Sequence, residues 1–151
     1  MFGPSDKAIP GMTTEIFKEF LENTISYVCA DNRPTIKDIF KVKQDQHEFF
    51  GYTFPGLADC ECEVNENGDI LTHWRISQSA KIKYVVNLID FDDVMMGKMA
   101  PMTAMVTKKL KVDGPMTEAM KFINLMPALK VAYRKARKEI GEKYGLADFK
   151  N

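Results

Sequence analysis

The chain has 151 residues, of which 45% are apolar and 28% charged, and its 21 basic and 21 acidic side chains give a formal net charge of zero. A chain of this length predicts one domain, with a hydrophobic core that needs neither a disulfide nor a structural metal. Proteins that track nucleic acid carry an excess or a patch of positive charge, so we expect no nucleic-acid partner.

Three features of the sequence bear on its cellular compartment. There is no run of about 18 apolar residues, the length that a membrane span requires. Residues 1–11 lack the apolar region of a signal peptide. Cysteine occurs three times, an odd count that does not favour a disulfide framework. Together these features predict reduced thiols and a cytoplasmic location.

The first third of the chain has helical periodicity. Residues 1–12 contain two prolines and two glycines and predict a flexible leader before a single domain over residues 13–151. A helix is predicted to start within residues 13–16 with a threonine N-cap and to end near residues 31–32, because apolar residues recur every three or four positions. Residues 36–43 predict a second, shorter helix after Pro34, although part of this segment also fits an extended conformation.

The middle third alternates between apolar and polar residues, as strands do. Such patterns predict strands over residues 49–54, 58–64, 70–76 and 81–89. The Asn67–Gly68 pair between the second and third of these predicts a hairpin turn, because both residues tolerate a positive φ. We therefore expect an antiparallel meander with one buried face.

The last third returns to helical patterns around one short strand. Residues 91–97 and 101–106 predict short helices, and residues 109–112 predict the fifth strand. A helix over residues 116–126 is predicted to be interrupted at Pro127 and followed by a charged C-terminal extension from about residue 128. This order of elements predicts an α+β fold, with an antiparallel five-stranded sheet covered by helices on one face.

Residue types that commonly carry chemistry are few. His47 and His73 are the only histidines, and no further ligand pairs with them at metal-binding spacing. Cys60 and Cys62 point to the same face of a strand, where buried apolar cysteines are favoured over metal or redox use. Neither a nucleophile elbow nor a phosphate-binding glycine loop is present. We therefore predict no catalytic residue, no metal and no cofactor.

Methionine is concentrated in one part of the chain. Six of the ten methionines lie between Met95 and Met116. Methionine is flexible and polarizable, so the cluster fits either a methionine-tolerant core or the wall of a pocket that adapts to apolar ligands. A basic run on the C-terminal helix, between Lys130 and Lys138, fits either a solvated face or a transient contact with an anionic membrane.

Residues 90–122 carry a motif in which Gly-Lys-x-x-Pro-x-x-Ala precedes a Lys-Leu-Lys-Val strand, a glycine and a methionine-containing helix. This pattern resembles the C-terminal signature of the sterol carrier protein type 2 family. Lys108 departs from that signature, which has glycine at this position. The matching positions are Gly97, Lys98, Pro101, Ala104, residues 109–112, Gly114, Met116 and residues 119–121.

The resemblance implies a hydrophobic tunnel between the sheet and the helices, and a protein that carries lipid rather than catalyses a reaction. The implied ligands are fatty acyl chains, acyl thioesters, phospholipids and sterol- or isoprenoid-like molecules. An alternative is an accessory module that docks a partner enzyme, or a second copy of itself, through the methionine-rich surface. A small hydrolase or thioesterase would need a histidine beside a nucleophile in the cavity.

The lipid-binding residues are predicted mainly from the segment that carries the motif. Lys98 and Lys109 are predicted as anchors for an anionic head group. The predicted tunnel lining consists of Phe54, Trp74, Phe91, Val94, Met95, Met102, Met105, Val106, Met116, Met120 and Ile123.

Overall fold

The computed structural model describes residues 9–149. Of the leader predicted over residues 1–12, residues 1–8 lie outside this range, and Ile9 is buried. The elements are α1 (Thr14–Phe40), β1 (Glu48–Phe54), β2 (Ala58–Val64), β3 (Ile70–His73), β4 (Ile82–Val86), α2 (Leu88–Met95), α3 (Pro101–Val106), β5 (Leu110–Asp113), α4 (Met116–Tyr144) and a final 3₁₀ turn (Ala147–Phe149). The predicted α+β class and the five strands are confirmed.

Helix α1 consists of two helical segments joined at a kink, which lies where the sequence predicts one helix to end and a second to follow. The Thr13 side chain accepts a hydrogen bond from the Ile16 N–H at 3.2 Å, which caps the helix as predicted. At Asn32 the backbone leaves helical geometry, with φ −135°, and the helix then continues through Pro34. Ile36 and Phe40 are buried beyond this kink. Pro34 lies in the first turn of the second segment, where its missing N–H costs no helical hydrogen bond.

The sheet is mixed rather than wholly antiparallel. Its strand order is β3-β2-β1-β4-β5, and β1 pairs with β4 in parallel. The predicted antiparallel meander is wrong at this pair, because the chain leaves β3 and crosses to the far side of β1 before it forms β4. The segment between β3 and β4 lies over the outer face of the sheet, where Ser77 Oγ donates to the buried Glu61 carboxylate at 2.6 Å. Gly51 makes room for this crossing, because a Cβ atom there would lie 3.1 Å from that of Ser77.

Helix α4, in contrast, runs without the predicted break. It continues through Pro127, and the apolar stripe of its second half is buried at Leu129, Tyr133, Ala136 and Ile140. The stripe packs on the same core as the first half of the helix, so burial outweighs the lost hydrogen bond at the proline. Helices α1 and α4 pack against each other over the inner face of the sheet. Within residues 9–149, no helix combines the length and apolar character that crossing a membrane requires.

A pH-sensitive cluster lies on the outer face of the sheet. Glu63 bonds His47 Nδ1 with one carboxylate oxygen and His73 Nε2, at 2.7 Å, with the other. The bond to Glu63 raises the pKa of His47, and the bond to His47 in turn lowers the pKa of Glu63. Because the pKa of His47 rises on folding, the pair stabilises the fold fully below the ordinary histidine pKa of about 6.5. This contribution is lost as the pH rises through the raised pKa.

Replacing His47 with glutamine is therefore expected to lower the melting temperature near pH 6 and to leave it unchanged at about pH 9. Thermal unfolding of both proteins across this range measures the difference. A melting-temperature difference that stays constant with pH would show that the bond to Glu63 does not depend on the charge of His47.

Candidate functional site

An apolar cavity of about 40 Å³ lies between the inner face of the sheet and helices α1, α2 and α4. Fourteen side chains line it. The sheet contributes Phe50, Tyr52, Phe54, Cys60, Cys62 and Ile70. The helices contribute Leu21, Thr24, Ile25, Phe91, Phe122, Leu125, Leu129 and Tyr133.

Alternation along β1 and β2 turns the even-numbered residues toward the cavity. In a strand, side chains two positions apart share a face, so Phe50, Tyr52 and Phe54 line up on one side. The rings of Tyr52 and Phe54 stack with centroids 5.7 Å apart, and Phe91 of α2 meets Phe54 edge-on at 5.5 Å. Aromatic rings thus form a continuous floor of the cavity.

The helical wall follows from spacings of three and four residues. Leu21, Thr24 and Ile25 occupy one face of α1, and the α4 residues of the lining recur at the same intervals. Tyr133 packs against Phe91, with ring centroids 5.7 Å apart. The two long helices therefore close the cavity on the side opposite the sheet.

No lining residue carries a charge, and the polar atoms are few. Thr24 Oγ1 donates to the Phe20 carbonyl at 2.9 Å. The Sγ atoms of Cys60 and Cys62 lie 3.6 Å apart, and the bond between these thiols, together with burial, raises the pKa of Cys62 well above its usual range. A buried thiol held in the protonated form is a poor nucleophile. The interpretation of these cysteines as buried apolar residues agrees with their position.

A buried ion pair lies behind Tyr133 and joins α2 to α4. The Tyr133 hydroxyl donates to Asp92 Oδ1 at 2.5 Å, and Arg137 Nε donates to the same oxygen at 2.8 Å. Arg137 Nη2 also donates to Asp92 Oδ2 at 3.0 Å and to the Asp148 carbonyl at 2.7 Å. Its guanidinium lies over the Phe149 ring, 4.6 Å from the centroid. This network holds the final turn of the chain against the helices behind the cavity.

The residues that a metal site or a hydrolase would need are not assembled around the cavity. Across residues 9–149, no group of three or more histidine, cysteine, aspartate or glutamate side chains could hold a metal ion. Both histidines bond Glu63 on the outer face of the sheet. Neither histidine lines the cavity. The arrangement around the cavity is therefore suited to apolar contact.

The predicted lining residues are spread over several environments. Phe54 and Phe91 line the cavity. Val94 and Met95 are buried in the core outside its lining, and Met105 is half-buried against the core. Trp74 is also half-buried, and its indole N–H donates to Glu22 at 2.8 Å. Ile123 is half-buried on α4.

The remaining predicted lining residues and the two lysines lie at the surface. Met102, Val106, Met116 and Met120 have exposed fractions of 52%, 77%, 57% and 42%. We call these four residues the exposed apolar patch. Lys98 and Lys109 are exposed and do not line the apolar cavity.

Most of the cavity lining was missed by the sequence analysis. The motif in residues 90–122 drew attention to α3 and β5, which lie at one edge of the sheet, next to β4. The signal that could have identified the cavity was weaker and more general. Alternating aromatic residues on β1, paired with the two cysteines on β2, marked the inner face of the central strands.

Solved structures share this fold at low sequence identity. The sterol carrier protein domain 2 of Helicoverpa armigera is 20% identical, with a TM-score of 0.53 over 83% of this chain and 94% of that one. Sterol carrier protein 2 of Yarrowia lipolytica in its apo form is 20% identical, with a TM-score of 0.50 over 85% and 98%. The ubiquinone synthesis protein UbiJ-SCP2 is 13% identical, with a TM-score of 0.51 over 77% and 88%. At these identities the likeness shows the fold.

One further solved structure covers only part of this chain. A sec-alkylsulfatase, Pisa1 from Pseudomonas sp., is 16% identical over 50% of this chain with a TM-score of 0.44, and this chain spans only 12% of that enzyme's length. No curated protein matches the sequence. The model of the SCP-2 sterol transfer family matches residues 53–127, which include β2 to β5 and the whole motif segment. Over residues 53–127, this chain belongs to the SCP-2 sterol transfer family.

Proposed function

We propose that this protein is a non-enzymatic lipid carrier that holds the apolar part of its ligand between the sheet and helices α1 and α4. The observation that carries this proposal is the cavity lining, in which none of the fourteen side chains is charged. Membership of a sterol transfer family and the shared fold support the same class of ligand. Fatty acyl chains, acyl thioesters and sterol- or isoprenoid-like molecules are the proposed cargo.

Binding on this account requires the walls of the cavity to move apart. The cavity measures about 40 Å³, whereas pockets for drug-sized ligands have volumes of roughly 300–1,000 Å³. Each methylene group transferred from water contributes about 0.8 kcal/mol, so a long chain can offset the cost of separating apolar side chains. The wall formed by α1 and α4 consists mostly of aliphatic and aromatic side chains and contains no charged one, so moving it away from the sheet breaks no ion pair between lining residues.

The predicted site residues take three roles in this proposal. Phe54 and Phe91 contact the apolar chain inside the cavity. The exposed apolar patch instead meets a membrane or a protein when lipid is exchanged, and its exposure supports this role. Lys98 and Lys109, which lie at the surface, are proposed to meet an anionic head group outside the cavity.

The exposed apolar patch also favours a second candidate function, an accessory module that docks a partner enzyme or forms a homodimer. Four large apolar side chains on α3 and the start of α4 would be covered in such a complex. Sedimentation of the lipid-free protein measures its oligomeric state. A stable dimer that dissociates on replacement of Met116 and Met120 with glutamate would favour this candidate. A monomer would count against the homodimer and would not affect the carrier proposal.

Native mass spectrometry of the purified protein, followed by solvent extraction, tests the carrier proposal. We expect a lipid bound at near-stoichiometric level, because the cavity excludes water from apolar ligands. The extracted molecule would identify the ligand class. A lipid-free protein that also fails to take up a fluorescent fatty acid would contradict the proposal.

A further inference from the structure

Two neighbouring tyrosines, of which Tyr52 lines the cavity, have buried hydroxyl groups without hydrogen-bond partners in the described part of the chain. Among the residues that the structure describes, neither Tyr52 nor Tyr84 has a partner for its hydroxyl oxygen. The two tyrosines are only 7% and 2% exposed, so bulk water does not serve these groups. By contrast, the third tyrosine of the core, Tyr133, donates to Asp92. A buried hydroxyl group without a hydrogen bond destabilises the folded state. Two such groups on neighbouring residues therefore suggest a functional role.

The parallel strand pair places these tyrosines side by side. Tyr52 of β1 is the register partner of Tyr84 of β4, and their rings stack with centroids 4.6 Å apart. Tyr52 lines the apolar cavity, whereas Tyr84 lines a smaller adjoining space of about 10 Å³. Phe50 and Phe122 line both spaces and therefore form the partition between them.

Packing alone does not explain the hydroxyl groups. Phe50 and Phe54 flank Tyr52 on the same face of β1, so phenylalanine fits this floor. A trapped water would need two to four polar partners, which the apolar lining does not supply. The oxygen of a bound ligand, in contrast, would reach the hydroxyl together with the apolar chain that fills the cavity.

The surroundings also specify the charge of that oxygen. No lysine, arginine or histidine lines the apolar cavity. The charged residues that line the smaller space are Glu48 and Glu118, which would repel an anion, and Lys121 already pairs with both. A buried carboxylate without a cationic partner is strongly disfavoured. Burial raises the pKa of Tyr52 well above its usual range, so its hydroxyl remains a hydrogen-bond donor.

We propose that the Tyr52 hydroxyl, with that of Tyr84 beside it, binds the neutral oxygen of a lipid inside the cavity. This inference rests on the proposed carrier function and narrows its ligand class. The lipids it selects carry a hydroxyl or carbonyl oxygen on an apolar body, and a free carboxylate is excluded from the depth of the cavity.

Displacement of a bound apolar dye, N-phenyl-1-naphthylamine, by dodecanol, a dodecanone and dodecanoate tests this inference. The wild-type protein is expected to bind the alcohol and the ketone about tenfold more tightly than the carboxylate, a difference of about 1.4 kcal/mol. Tyr52→Phe is expected to weaken binding of the alcohol and the ketone about tenfold relative to that of the dye, because the ring is kept and only the hydroxyl is lost. Tyr144→Phe is the matched control, because that exposed tyrosine donates to Glu19 at the surface.

The possible results distinguish the hydrogen bond from Tyr52 to the lipid oxygen, which we call the anchor, from the carrier function itself. Dye uptake without any preference for a neutral oxygen, or a preference that survives in Tyr52→Phe, would overturn the anchor and leave lipid binding intact. A wild-type protein that takes up neither dye nor lipid would overturn both. The ligand-free melting temperature of Tyr52→Phe is expected to equal or exceed that of the wild type. A lower melting temperature would mean that the hydroxyl has a partner within the protein and would also overturn the anchor.

Discussion

Replacing Asp92 with alanine is expected to lower the free energy of unfolding by about 3–5 kcal/mol. The substitution leaves the buried Arg137 guanidinium and the Tyr133 hydroxyl without their shared acceptor. Arg137 is only 5% exposed, so water cannot replace the lost carboxylate. The free energy of unfolding of a native domain is about 5–15 kcal/mol, so the variant would be only marginally stable. Chemical denaturation followed by circular dichroism measures the change.

Two variants show whether removal of the Asp92 carboxylate from beside Arg137 causes this loss of stability. Asp93→Ala makes the same change at the neighbouring, half-buried position and is expected to cost less than about 1 kcal/mol. The double replacement Asp92→Leu with Arg137→Met removes both charges, and its loss should be smaller than that of Asp92→Ala. If the double and single variants lose the same free energy of unfolding, the effect instead comes from the packing of the helices.

Replacing Leu129 with tryptophan is expected to weaken lipid binding at least about tenfold, because the larger side chain occupies the cavity. Leu129 is 7% exposed and lines the cavity from α4. Exclusion of only two ligand methylene groups removes about 1.6 kcal/mol of binding free energy, which exceeds the value for a tenfold change. Titration with a fluorescent fatty acid measures the affinity.

The matched control is Val131→Trp on the same helix, where the side chain is 73% exposed. It adds the same indole ring without reaching the cavity and should leave affinity unchanged. Overpacking at Leu129 is expected to cost about 1–3 kcal/mol of stability, so near-ultraviolet circular dichroism must first show that the variant is folded. Wild-type affinity in a folded Leu129→Trp protein would place the bound lipid elsewhere.

Local patterns in the sequence were sufficient to predict the class of fold. Alternation of side chains identified the strands, and the predicted Asn67–Gly68 turn lies between β2 and β3. Gly68 has a φ of +80°, and the Asn65 side chain accepts hydrogen bonds from the N–H groups of Asn67 and Asp69. Turn chemistry of this kind depends on neighbouring residues, so a single sequence reveals it.

Features that depend on distant contacts could not be predicted in the same way. Alternation is the same in parallel and antiparallel pairs, so it gave no sign that β1 and β4 run in parallel. Pro127 favoured a helix end, and burial of the α4 face on the core outweighed that local preference, whereas the break predicted before Pro34 is present as the kink at Asn32. Lys108 has a φ of +63°, in the left-handed region that favours glycine, which is the residue that the resembled family signature has at this position.

The candidate site was predicted only in part, for a physical reason. A motif identifies residues by their order along the chain, whereas a cavity forms where distant elements face one another. Phe54 and Phe91 were found because they are large and apolar, but Tyr52 and Leu129 became part of the site only through the packing of α4 over β1. The exposed apolar patch could not be distinguished from core by composition, since methionine occurs in both settings.

Nuclear Overhauser contacts between isotope-labelled protein and an unlabelled fatty alcohol test the central claim most directly, because they locate the lipid. We expect contacts from the methylene chain to the rings of Phe54 and Phe91 and to the Leu129 methyl groups. Contacts confined to Met102, Val106, Met116 and Met120 would contradict the claim, since they would place the lipid on the exposed apolar patch instead of in the cavity.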